Sequence, residues 1–199
     1  VMVITDDIYG QLVYNGASFT SIAQLDDQLD PRIIIISGGS KTYSMTGWRM
    51  GYVVADEQLI SKISAFLSHA TGNPTAVSQY ALLEAFTGNQ DQVEVMRKAF
   101  EDRLNTIYPL LTAIPGFDLP VKPQGAFYLF PDVSGALKIS GIATTGEFVS
   151  RLLSEAHVAL VDGSAFGVKN HVRISYATDM DALKTAMARI NKFMVQFKD

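Results

Sequence analysis

The chain has 199 residues, is 48% hydrophobic and 18% charged, and carries a formal net charge of −4. That is enough to bury the core of one large domain or two small ones, and it offers no basic excess for nucleic acid or an anionic membrane surface. There is no cysteine, which excludes disulfides, thiolate metal sites and cysteine nucleophiles.

The first segment, Val1–Thr5, reads as a buried strand that starts with no polar lead-in, so the sequence is expected to be a piece of a longer chain. Arg32–Ser37 and Gly51–Ala55 follow as further strands. All three are short, β-branched and apolar, the pattern of parallel strands covered on both faces. Asp56 opens a helix over Glu57–His69. Asn73-Pro74 is read as an N-cap with proline at the first helical position of a helix that Gly88 ends. A long amphipathic helix is predicted from about Asp91 to Leu111, with Val93, Met96, Phe100, Leu104, Ile107 and Leu111 on one stripe. Pro109 is expected to kink it or mark its end.

After the turn Ile114-Pro115-Gly116 the pattern changes. Ala126–Phe130 reads as an aromatic strand. Thr144 and Glu147 form a capping box that opens Phe148–His157, and Val158–Val161 and Val172–Ala177 are further strands. The last helix, after Thr178, carries Leu183, Met187, Ile190 and Met194 on one face. The expected architecture is α/β to about residue 95, with a smaller α+β domain over residues 96–199 and the long helix joining them. No apolar run, Ile33 to Ile36 included, is long enough to span a bilayer and no signal peptide opens the chain, so a cytoplasmic protein is expected.

Chemistry concentrates in Ser37-Gly38-Gly39-Ser40-Lys41-Thr42, directly after the second strand. Small residues at the carboxyl end of a parallel strand are where α/β proteins bind ligands. A nucleotide P-loop is excluded, because the two glycines it requires are replaced by Ile35 and Ser40. A Schiff-base lysine fits better: a primary amine on a flexible stem among small residues can reach an aldehyde. Arg49, further along in Thr46-Gly47-Trp48-Arg49-Met50-Gly51-Tyr52, could clamp a phosphate with a bidentate pair. Taken alone, these two residues are more readily a surface lysine and arginine beside a turn.

The stretch Ser40 to Tyr52 resembles the cofactor-lysine signature of class I, fold-type I aminotransferases, most closely the bacterial aspartate aminotransferase subgroup, and the likeness continues through most of the chain. That resemblance implies the C-terminal half of a transaminase that uses pyridoxal 5′-phosphate (PLP). In such an enzyme the remainder of the PLP-transferase large domain, a mostly parallel sheet with helices, is followed by a C-terminal α+β small domain. Lys41 would carry PLP. Asp6-Asp7-Ile8-Tyr9 resembles the family's acidic-aromatic motif, so Asp6 would pair with the pyridine nitrogen and Tyr9 would hydrogen-bond the phenolic oxygen, while Asp7 is read as structural. A carboxylate that keeps the ring nitrogen protonated makes the cofactor a better electron sink.

By the same resemblance Arg49 would hold the phosphate. Gly38 replaces a phosphate-binding serine of many relatives, which makes Ser40 a candidate for that contact. Arg173, in Val172-Arg173-Ile174-Ser175-Tyr176-Ala177, would grip the substrate α-carboxylate; an arginine alternating with apolar residues on a strand is costly to bury unless it meets an anion. Pro123 to Tyr128 and Asp162 to Gly167 resemble two further family segments, read as packing and as a turn. Thr71 to Pro74 resembles a loop that reaches the partner subunit's phosphate. His69, His157 and His171 have no metal-ligand spacing.

The implied activity is transfer of an amino group between an amino acid, aspartate foremost, and a 2-oxo acid, in a homodimer with no nucleic-acid or membrane partner. The family's first half supplies other parts of the pocket, so this fragment by itself is expected to be inactive or very weak. Two alternatives stay open at this level: the PLP-binding sensor domain of a transcription regulator, and a PLP-dependent lyase or decarboxylase.

Overall fold

A computed structural model describes residues 1–25 and 30–197. The chain divides into two compact units, Val1–Lys98 and Ala99–Asp199.

The first unit is built on a three-stranded sheet of β1 (Val3–Asp6), β2 (Ile33–Gly38) and β3 (Gly51–Val54), in that order. β1 and β2 are parallel, with Val3 opposite Ile33 and Asp6 opposite Ile36. β3 runs antiparallel to β2, where a parallel strand was expected. The reason lies in the connection. A parallel return needs a crossover, usually a helix, whereas residues 39–50 hold only a loop and the short 3-10 turn Thr46–Trp48, which bring the chain straight back.

Burial also differs from the expectation for β1 and β3. Ile4 is 66% exposed and Val54 45% exposed, and Ile36 of the central strand is 39% exposed, so among the described residues the faces of this sheet are only partly covered. Two helices follow. α1 (Glu57–Ala70) is capped by the Asp56 carboxylate, which accepts from Gln58 N. α2 (Ala76–Thr87) is capped not by Asn73 but by Thr75, whose hydroxyl accepts from Ser78 N. Pro74 thus lies in the extended lead-in, and the threonine next to the helix satisfies an amide of its first turn.

α3 (Asp91–Thr112) begins in the first unit and ends in the second. Pro109 lies inside it, exposed, and the helix ends within a turn of it. Proline has no N–H to donate to the carbonyl four residues back, so one rung of the ladder is missing. Phe100, Leu104, Ile107 and Leu111 are its buried stripe, each worth about 1.5–3 kcal/mol of transfer free energy.

The second unit packs this stripe with a three-stranded antiparallel sheet, β4 (Tyr128–Leu129), β6 (Val172–Ser175) and β5 (Val161–Asp162), in that order. All three strands are shorter than the sequence predicts. Non-Gly Ala126 has φ of +58°, which breaks extended geometry before β4. Three helices complete the unit: α4 (Ser134–Ser140), α5 (Thr145–Ala156) and α6 (Met180–Val195). α4 has no counterpart in the sequence reading; its short run with glycine carries too little periodicity to declare it, and Asp132 accepts from Ser134 N at its start. Thr144 accepts from Glu147 N to open α5, and Asp179 accepts from Ala182 N to open α6. Phe100 stacks on Phe127 at 5.4 Å, and Phe148 lies 6.1 Å from Phe117 and 6.0 Å from Phe193, ring to ring.

Candidate active site

Five of the six residues singled out in the sequence fall in the first unit, on the loops that leave the carboxyl ends of β1 and β2 and on the return to β3. Asp6 closes β1, opposite Ile36, and its exposed carboxylate accepts from Ile8 N at 3.1 Å. Asp7 points to the other face. Its two oxygens accept from Thr5 Oγ1 and Ser21 Oγ, each at 2.6 Å. The alternation of a strand thus separates the two acids: one is bound up by hydroxyls, the other lies open beyond the strand end.

Ser40 and Lys41 follow β2 in a hydrogen-bonded turn, in which Tyr43 N donates to Gly39 O and Ser44 N to Lys41 O. Both side chains are half-buried. Lys41 Nζ stands 5.9 Å from the centre of the Tyr9 ring, so the amine and the phenol foreseen as partners share one locality.

Arg49 sits at the end of the 3-10 turn in a left-handed conformation, φ +55°, and its guanidinium donates to Thr46 O at 2.8 Å. Ser44, at φ +54°, is left-handed as well. Such conformations cost energy in non-glycine residues and gather at ligand clamps. The two lie on either side of the turn that leads from Lys41 to Arg49.

The lysine turn rests on a platform that sequence reasoning did not identify. Thr42 and Leu82 are buried, and a Cβ on Gly39 would meet Leu82 Cδ1 at 2.5 Å. Tyr43 and Tyr52 both meet Phe86 edge to face, at 5.6 and 5.8 Å. Tyr43 OH donates to Gln90 Oε1, and Ser44 Oγ contacts Met96 Sδ. Burial pushes the Tyr43 phenol above its ordinary pKa, and Tyr52 adds to the effect, so Tyr43 stays a neutral donor at ordinary pH. The only sequence signal for this platform was the aromatic residue two places after Lys41.

Arg173, the sixth residue, belongs to the second unit, on β6. Its guanidinium carbon lies 4.7 Å from the centre of the Tyr128 ring and 4.3 Å from that of Phe166. A cavity of about 640 Å³ in the first unit is lined by Asp7, Ser37 and Tyr52, and one of about 370 Å³ in the second by His157, Ile174 and Met187. None of the six residues lines either cavity. Among the described residues no group of histidines and carboxylates could hold a metal ion, and no helix is long and apolar enough to cross a membrane.

An aldehyde-bearing phosphate ester fits what the first unit presents. It has a primary amine beside a phenol, an open carboxylate one strand away, and an arginine held in a strained turn. Tight glycine packing lies at the strand end, where a Cβ on Gly38 would meet Met50 O at 2.7 Å.

Residues 1–190 match the family described as aminotransferase class I and II. The chain is 54% identical over 194 residues to an asparagine–oxo-acid transaminase of Streptococcus mutans, covering 98% of this chain and 49% of that protein. It is 52% identical to an aspartate aminotransferase of Bacillus sp., with the same coverage. The crystal structure of an aspartate aminotransferase from Rhizobium meliloti superposes with a TM-score of 0.91 at 39% identity, over 98% of this chain and 50% of that one. An aromatic aminotransferase from Pyrococcus horikoshii gives 0.89 at 37% identity, over 100% and 52%. The chain spans about half the length of the curated relatives it matches.

Proposed function

This chain belongs to the class I and II aminotransferases, and on that premise we propose that it is the lysine-bearing part of a PLP enzyme that exchanges an amino group between an amino acid and a 2-oxo acid. Aspartate is the amino donor favoured by the similarity to aspartate aminotransferases. The observation that carries the reading is Lys41, whose amine lies beside the Tyr9 ring at the carboxyl ends of the parallel pair β1–β2.

Bound, the cofactor supplies an aldehyde for the amine and an electron sink for the substrate α-carbon. Lys41 Nζ would hold that aldehyde end, and the same amine would move the proton at the substrate α-carbon, as general base and then general acid. Asp6 would pair with the ring nitrogen and Tyr9 would hydrogen-bond the phenolic oxygen. Arg49 and Ser40 would bind the phosphate, the former with a donor fork that suits an oxyanion. Arg173 would orient the α-carboxylate.

The activity is that of a longer, cytoplasmic polypeptide acting as a homodimer; this chain alone is inactive or very weak. The edges of β1 and β3, with Ile4 and Val54 exposed, support a larger assembly that covers them.

The test is made on the full-length protein. Lys41→Ala is expected to abolish both the near-visible absorbance of the bound cofactor and amino transfer from aspartate to 2-oxoglutarate. A lysine adduct still trapped by borohydride in that variant, or pyruvate or alanine as the product from aspartate, overturns the assignment.

A further inference from the structure

We propose that Tyr128 and Phe166 are positioning residues, an aromatic clamp that holds the Arg173 guanidinium for a planar carboxylate; the role of the clamp rests on the carboxylate-binding reading of Arg173 given above. The argument begins with strand alternation. Val172, Ile174 and Tyr176 are buried on the core face of β6, which places Arg173 and Ser175 on the opposite face. Tyr128 is paired with Ser175, so it shares that opposite face and is the diagonal neighbour of Arg173. Phe166 comes from the other flank. It ends the 3-10 turn Gly163–Phe166, which follows β5, and β5 pairs with β6 through Val161 and Arg173.

The two rings therefore approach from the strands on either side of β6, and both stand within cation–π distance of the guanidinium. Phe130 backs the arrangement, 6.0 Å from Phe166 and 5.1 Å from the His171 ring.

The surroundings of Arg173 show what this arrangement serves. Arg97 and Arg151 are each paired with a glutamate, Glu94 and Glu155, at 2.8 and 2.7 Å. Among the described residues no carboxylate stands within ion-pair distance of Arg173. Its cation is half-buried and steadied by rings in place of a counter-ion, and Phe166 is 45% exposed, so the face is open. Rings that occupy the faces of a guanidinium leave its N–H edge for the ligand. That edge matches the two coplanar oxygens of a carboxylate. A clamped guanidinium also loses less rotamer freedom when the ligand arrives.

The test uses the full-length protein freed of cofactor, with no turnover, so its outcome is independent of whether the protein transaminates. The Arg173 Nε–H signal is followed by NMR during titration with propionate. Tyr128→Leu and Phe166→Leu are each expected to weaken the response about two- to tenfold, the scale of ordering one long side chain, while Tyr128→Phe keeps it. The proposal is overturned if either leucine variant binds as the wild type does, or if Tyr128→Phe is as weak as Tyr128→Leu. A wild-type measurement covers the case of a variant that does not fold. Side-chain relaxation should show Arg173 Nε more ordered than that of Arg189, an exposed arginine whose guanidinium donates to His157 O at 3.4 Å. Equal mobility of the two overturns the clamp.

Discussion

Replacing Gly38 by alanine tests how the lysine turn and Arg49 are held together. Gly38 is buried, ends β2 and lies opposite Gly51 at the start of β3. A Cβ there would come within 2.7 Å of Met50 O and 2.8 Å of Gly51 Cα. Both are backbone atoms, so no rotamer change relieves the contact and β3 must move away. Overpacking of this kind costs about 1–3 kcal/mol. The displaced segment begins next to Arg49, whose left-handed backbone leaves it little slack. Trp48 is the only tryptophan in the chain, so its fluorescence during urea unfolding reports on this turn directly. With an m-value of about 1–3 kcal/mol/M, the midpoint of the Gly38→Ala variant should fall by roughly 1 M. Gly47→Ala is the control: a Cβ there meets nothing within 4 Å, and its effect should stay within about 0.5 kcal/mol. Equal midpoints for the two variants would refute the reasoning.

Two further outcomes concern the second unit. Phe148→Ala should cost about 3–5 kcal/mol, because the ring is fully buried between Phe117 and Phe193, whereas Leu153→Ala, at a residue 56% exposed on the same helix, should stay within about 0.5 kcal/mol in urea denaturation. Asp179 caps α6, and the hydrogen bond from Ala182 N, outweighing the opposing effect of burial, holds its carboxyl below the ordinary carboxylate range. Its folded pKa is thus depressed, so its contribution to stability is present above the unfolded value, about pH 4, and is lost as pH falls through the folded value. Asp179→Asn, which keeps a capping oxygen, should flatten the acid limb of the stability profile; an unchanged slope would remove Asp179 from that limb.

The sequence by itself determined which segments could form elements and where reactive groups could gather. Helices α1, α3, α5 and α6 were legible because each carries an apolar stripe over many residues and most have a capping side chain in register, as Asp56 and Thr144 show. Lys41 and Arg49 could be named as candidates because small residues at a strand end favour a ligand site, and Asp6 and Tyr9 because of the resemblance of their motif. Strand direction and strand ends were not legible. β3 is antiparallel because of the loop behind it, and an apolar run looks the same in either direction. β4 stops short because the backbone turns at Ala126, which nothing in the alternation announces. The resemblance already set Asp7 apart from Asp6 as structural, and the tertiary structure supplies the physical reason: two hydroxyls donate to Asp7, from Thr5 and Ser21. Only it seated the lysine turn on Phe86 and Leu82, and only it placed two rings around Arg173. Periodicity is a property of neighbours along the chain, whereas Tyr128, Phe166 and Arg173 meet because three separate segments are brought side by side in one sheet and the turn beyond it.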